Sequence, residues 1–150
     1  MAVEAMSEFT RQILYKEGHT PPDTYREVGG TTFPGAAVVV GTAHTKDCKL
    51  CVDNAVFLGI AGLLPNHDID TVYSAGTSIP VYTKGSGAVV WAMFKTNIDA
   101  VASQPLIHGA TAKTGMVKPG EGGVDEYSGI AYRDIDSHAT IDTPGLIQLS

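Results

Sequence analysis

The chain has 150 residues, of which 43% are hydrophobic and only 17% charged, with a net charge of -6 and a pI near 5.2. That length suits one compact domain, which buries roughly 70% of its unfolded surface and needs no disulfide to fold. No Lys/Arg run supplies the electrostatic footprint of a nucleic-acid binder, and no apolar run approaches the roughly 20 residues that span a bilayer.

In chain order, "VEAMSEFTRQILY" (3–15) sets Val3, Met6, Phe9 or Thr10, and Ile13 at nearly helical spacing. The segment reads as a helix ended by Gly18, or as an extended arm. It lacks a basic stretch followed by an apolar core, so it is not read as a secretory signal, and a soluble protein made in the cytoplasm is expected. "EGHTPPDTYREVGG" (17–30) reads as a linker, because Pro21-Pro22 imposes an extended course and removes two backbone donors. The compact part is expected from about Thr31.

From there strands dominate. "AAVVVGT" (36–42) is β-branched and bounded by Pro34-Gly35 and Gly41. "KLCVD" alternates, and "AVFLGIAGLL" (55–64) closes at Pro65-Asn66. "TSIPVYT" (77–83) and "AVVWAMFK" (88–95) flank Lys84-Gly-Ser-Gly87 in the manner of a hairpin. "TNIDAVASQP" (96–105) is the candidate short helix or turn. Seventeen glycines, eight prolines and turn signals every ten residues or so point to an all-β sandwich or barrel. A weak internal similarity joins the segment from Phe57 to that from Tyr127: each has Gly-Ile-Ala, then Asp-Ile-Asp, then a glycine and an apolar strand. It suggests two similar β-units closing one barrel, with Gly59 and Gly129 at close backbone approaches.

Candidate chemistry is sparse. Cys48 and Cys51 form the one C-x-x-C. Within a strand, residues three apart face opposite sides, a zinc site needs four ligands, and no second cysteine pair exists, so two reduced, partly buried thiols are expected. "NHDID" (66–70) and "RDIDSH" (133–138) each set a histidine beside two carboxylates, yet neither supplies the acids and glycine of a calcium loop. Alternating acids at the solvated end of a strand explain the pattern, so no metal is assigned. "KGSGA" lacks G-x-S-x-G and the third glycine of a dinucleotide loop. No catalytic residue and no cofactor is assigned. Trp91 in "AVVWAMF" is either a core residue or an interface anchor, a role in which Trp and Met are enriched.

The order of these motifs resembles a known family. "FPGAAVVVGTAHTKDCKLCVDNAVFLGIAGLL", then Gly76–Val81 with Gly87-Ala88, then Gly129–Ala131 through Leu149, is similar to the head-decoration, or capsid-cement, proteins of tailed phages and related viruses. The similarity runs over roughly residues 31–150. It implies a small β-barrel or β-tulip-like domain (31–150) behind an N-terminal arm and linker (1–30). It also implies a virion structural protein, not an enzyme, on the outside of an icosahedral capsid. Such a protein clamps neighbouring major capsid proteins against internal pressure, as a homotrimer or, next, a dimer, with no nucleic acid or membrane partner. Met6, Phe9, Ile13, Leu14, Tyr15 and Trp91 are the expected contacts with the capsid or a neighbouring copy, because apolar side chains would be wasted on a free tail. Two other readings compete. A glycan- or host-surface-binding barrel could use Tyr73, Tyr82, Tyr127 and Tyr132, and a small metal-dependent hydrolase could use His67, Asp68 and His138.

Overall fold

A computed structural model describes residues 22–41, 44–51, 57–68, 71–94, 99–100, 105–110, 113–119, 127–132, 135–136 and 143–149. All regular structure among them is β. The first five strands are β1 (Asp23–Glu27), β2 (Ala37–Val40), β3 (Asp47–Leu50), β4 (Gly59–Ala61) and β5 (Ser78–Thr83). They close a barrel in the order β1-β3-β2-β4-β5, with β5 returning to β1. Its interior takes a side chain from every strand: Tyr25, Val38, Cys48, Ala61, Ile79 and Val81 form one cluster with Tyr73.

The remaining strands are β6 (Val89–Phe94), β7 (Asp99–Ala100), β8 (Pro105–Ala110), β9 (Lys113–Pro119), β10 (Tyr127–Ala131), β11 (Ile135–Asp136) and β12 (Thr143–Gln148). Five of them close a second barrel, β6-β9-β8-β10-β12, with β12 paired to β6. β7 and β11 pair with each other beside it. The expected internal similarity is therefore real, but each unit closes its own barrel.

The two barrels share one topology. Taken in chain order, the strands of each ring run first, third, second, fourth, fifth. In both, the first and third are the parallel pair and every other pair is antiparallel. The correspondence reaches single residues. Gly59-Ile60-Ala61 pairs with Thr83-Tyr82-Val81, and Ile130-Ala131 pairs with Gln148-Ile147. A Cβ on Gly59 would overlap the carbonyl oxygen of Tyr82, and one on Gly129 that of Gln148. Both glycines exist because a neighbouring strand's backbone occupies the space of a side chain.

Three expectations change. β1 lies inside the presumed linker: Tyr25 and Glu27 are buried, and β1 bonds both β3 and β5, so the first barrel begins at Asp23. Pro21-Pro22 signals the approach to a strand, and the charged sequence "DTYRE" hid it because only alternate side chains face inward. β5 and β6 do not form a hairpin. They flank the turn at 84–87, where Gly85 and Gly87 have positive φ, but each pairs within its own barrel, so this turn is the crossing between the two. Of the segment 96–105, expected as a short helix or turn, Asp99–Ala100 is strand β7, whose pairing with β11 is a long-range contact that local spacing does not reveal; 96–98 and 101–104 lie outside the described residues.

The barrels are fused through side chains. Ala37, Val39, Ile60 and Tyr82 alternate with the interior residues of β2, β4 and β5, so they face outward. They join the interior of the second barrel (Val90, Ala92, Phe94, Leu106, Val117, Ala131, Ile147) in one buried cluster. A main-chain bond tightens the joint: Met93 N–H donates to Gly35 O at 2.9 Å.

Because the two glycines meet backbone rather than a flexible side chain, Gly59→Ala and Gly129→Ala should each destabilise by the upper end of about 1–3 kcal/mol, measured by urea melts. A contrasting Gly85→Asn, at a left-handed position with open space around it, should cost much less.

Candidate functional site

Among the described residues, two groups of bonded polar side chains lie on the first barrel. On the outside of β1 and β3, the Arg26 guanidinium donates to both carboxylate oxygens of Asp47 at 3.1 Å. Arg26 is half exposed while the Asp47 side chain is only 3% exposed, so the pair seals a buried carboxylate under a solvated cation. Hydrogen bonding from Arg26 holds the Asp47 carboxyl below its ordinary value of 3.8 and raises the Arg26 pKa in turn. Lys46 sits 4.7 Å over the Tyr25 ring and 3.7 Å from Asp23. At the end of β1, the fully buried Glu27 carboxylate accepts from Gly29 N–H (2.8 Å), Gly30 N–H (2.6 Å) and Thr32 Oγ1 (3.1 Å). Gly30, at φ 72°, supplies the left-handed turn that aims its N–H back at the carboxylate.

The second group lies in the loop from Gly62 to Tyr73. Tyr73 Oη donates to Gly62 O at 2.6 Å and accepts from Leu64 N–H at 3.1 Å, while Tyr73 N–H donates to Thr32 O. The His67 ring stacks on Tyr73 at 4.2 Å. Its Nε2 lies 2.7 Å from Thr71 O; a carbonyl can only accept, so Nε2 carries the proton. The loop carries Leu63 onto Val89, Trp91 and Leu146, on the outer side of β6 and β12.

Trp91 is thus a core residue, 4% exposed, covered by Leu63 of the first barrel rather than offered to a partner. The other expected contacts, Met6, Phe9, Ile13, Leu14 and Tyr15, lie outside the described residues, as do Ile69 and Asp70 of "NHDID", and His138. Of the tyrosines considered for stacking on a sugar, Tyr73 and Tyr82 are buried, Tyr132 is exposed, and the Tyr127 side chain lies outside the described residues. The ring and Nε2 of His67 are engaged within its own loop. Among the described residues no three His, Cys, Asp or Glu side chains gather to hold a metal. Both cysteines are buried reduced thiols. Cys48 faces the first barrel's interior and Cys51 belongs to the joint, so the barrel wall separates them. Burial, with the charges of Glu27 and Asp47, pushes the Cys48 thiol up to about 12, well away from the reactive thiolate range.

Sequence reasoning missed the two buried carboxylates. Glu27 was legible in principle, since an acid followed by Gly-Gly is a ready cradle of backbone N–H groups. Asp47 was not, because its partner is 21 residues away. No family model matches the chain, and no curated protein matches it.

These groups set a pH profile. Asp47 has a depressed folded pKa, so its contribution is whole above 3.8 and is lost as pH falls through the lower folded value. Cys48 and Tyr73 have raised folded values, so theirs are whole below 9.0 and 10.0 and are lost as pH climbs toward about 12. Urea midpoints measured against pH should therefore fall on both limbs. Asp47→Asn should lower the plateau and flatten the acid limb, and Cys48→Ala should delay the onset of the alkaline one.

Proposed function

We propose that this chain is a virion structural protein that binds the outside of an icosahedral capsid and cements neighbouring major capsid proteins, making no use of catalysis. One observation carries the reading: two closed barrels are locked by a single core, and the acids, Tyr73 and His67 described above are engaged in internal bonds. A rigid double unit whose chemistry is turned inward suits a part that works by shape and burial. Closure also leaves no open edge in either barrel, which guards a protein displayed at high local density against strand-to-strand aggregation. The family resemblance supports the same reading.

In this proposal the arm supplies attachment. Met6, Phe9, Ile13, Leu14 and Tyr15 precede β1, whose first residue, Asp23, pairs with Val81 of β5. An apolar arm can pack into a groove or add a strand on a capsid subunit or adjacent copy, with about 1.5–3 kcal/mol per fully buried large side chain, less the cost of ordering. Self-association as a trimer, or next a dimer, completes the reading.

The test is co-sedimentation with capsid shells. The full chain should bind at a fixed stoichiometry. A chain starting at Pro22 should melt cooperatively and bind much more weakly, whereas one starting at Thr31 should not fold, because it lacks β1. Absence of saturable binding by the full chain would overturn the function. Undiminished binding by the Pro22 form would overturn the role of the arm.

A further inference from the structure

We infer that residues 62–68 and 71–73 form a clasp: a self-braced loop, carried by the first barrel, that covers the outer face of β6 and β12 with Leu63 and lifts from it without either barrel unfolding. This device belongs to the free chain and is independent of the proposed function.

The face under the clasp is apolar. β6 and β12 run side by side, with Trp91 opposite Leu146. Val90, Ala92 and Phe94 belong to the core that fuses the barrels, so Val89 and Trp91 alternate with them and face the other way. Val89, Trp91 and Leu146 gather with Leu63 in a small buried cluster of their own. Trp91 is 4% exposed beneath it.

The polar groups of the clasp bond the clasp itself and the first barrel's half of the chain. Gly62 N–H donates to Pro80 O at 2.8 Å and Tyr73 N–H to Thr32 O at 2.8 Å, at the two ends of the loop. Between them, His67 N–H donates to Leu64 O and Thr71 N–H to Asp68 O. The His67 ring stacks on Tyr73 and bonds Thr71 O, and Asn66 turns the chain at φ 65°. Among the described residues, no bond between main-chain atoms joins this loop to the second barrel. Pro65, Asn66, Asp68, Thr71 and Val72 are exposed, so water reaches the loop along its outer side. A segment braced within itself and solvated on one side opens as a unit at lower cost than the barrels. The barrels stay joined meanwhile, because Val39, Ile60 and Tyr82 hold the shared core without any residue of the clasp.

Tyr73 is the positioning residue. Its ring is set in the interior cluster of the first barrel, and its hydroxyl grips the main chain on both sides of Leu63. It donates to Gly62 O at 2.6 Å and accepts from Leu64 N–H at 3.1 Å. One phenol oxygen thus brackets the residue that does the covering. Lifting the clasp brings Val89, Trp91 and Leu146 into water, and the chain's single tryptophan reports it.

The test is hydrogen exchange of the full chain, followed by NMR at low urea concentrations. The Leu64 amide and the Trp91 indole N–H should exchange together, through an opening that hardly responds to urea. The strand amides of β5 and β6 should exchange only through global unfolding, with a steep urea dependence. Tyr73→Phe keeps the ring and removes both bonds, so it should speed both reporters about tenfold or more. Asp47→Asn, which loosens β1 from β3, should speed the strand amides and leave both reporters at the wild-type rate. Wild-type reporters that exchange only with the strand amides overturn the inference, and this comparison decides it alone if Tyr73→Phe does not fold. A folded Tyr73→Phe with unchanged reporters, or an Asp47→Asn that speeds reporters and strands alike, overturns it as well.

Discussion

Val39, Ile60 and Tyr82 point out of one barrel and into the core of the other, and the rest of the molecule is arranged around that joint. A five-stranded barrel with short strands encloses little, and the interior of the first is filled by a few side chains from its strands and Tyr73. Its outward face would be a liability if left in water. Covering it with the second barrel turns that liability into the largest buried cluster among the described residues and joins the two barrels. Leu63, carried by the loop that Tyr73 organises, then seals Trp91 from the other side.

Duplication explains features that look unrelated along the chain. Gly59 and Gly129 meet the same obstacle, a carbonyl oxygen on the fifth strand of their own barrel. The loops also correspond. In the second barrel the segments after the first and fourth strands pair as β7 and β11. In the first barrel the equivalent segments meet through Tyr73 N–H and Thr32 O. The second copy has kept the backbone plan.

Polar chemistry in the first barrel serves closure. β1 pairs parallel with β3 and antiparallel with β5, and it is fastened three ways: Arg26 to Asp47 outside, Glu27 to the Gly29-Gly30 turn at its end, and Tyr25 within. A buried carboxylate is costly unless its oxygens are bonded, and both here are fully engaged. Arg26 with Asp47, Glu27 with its turn, and Tyr73 with Gly62 and Leu64 fasten the first barrel in this way.

By itself the sequence determined the class of structure. β-branched runs such as "AVVV", closely spaced turn signals and the repeated Gly-Ile-Ala are local, and each carries its own physical consequence: extended backbone, chain reversal, and a position without room for a Cβ. The repeat even marked two like units. What only the tertiary structure decided was which strands pair and which faces are covered. "TSIPVYT" and "VVWAMF" look like partners across a glycine turn but belong to different barrels, because hydrogen-bonding capacity is the same for every strand and the choice is made by side-chain packing at a distance. "DTYRE" looks like a linker because half its residues face water, and Trp91 looks like an anchor until Leu63, 28 residues earlier in the sequence, covers it. Periodicity tells which residues share a side of a strand; whether that side meets solvent, a barrel interior or a second barrel depends on contacts that exist only once the chain has closed on itself.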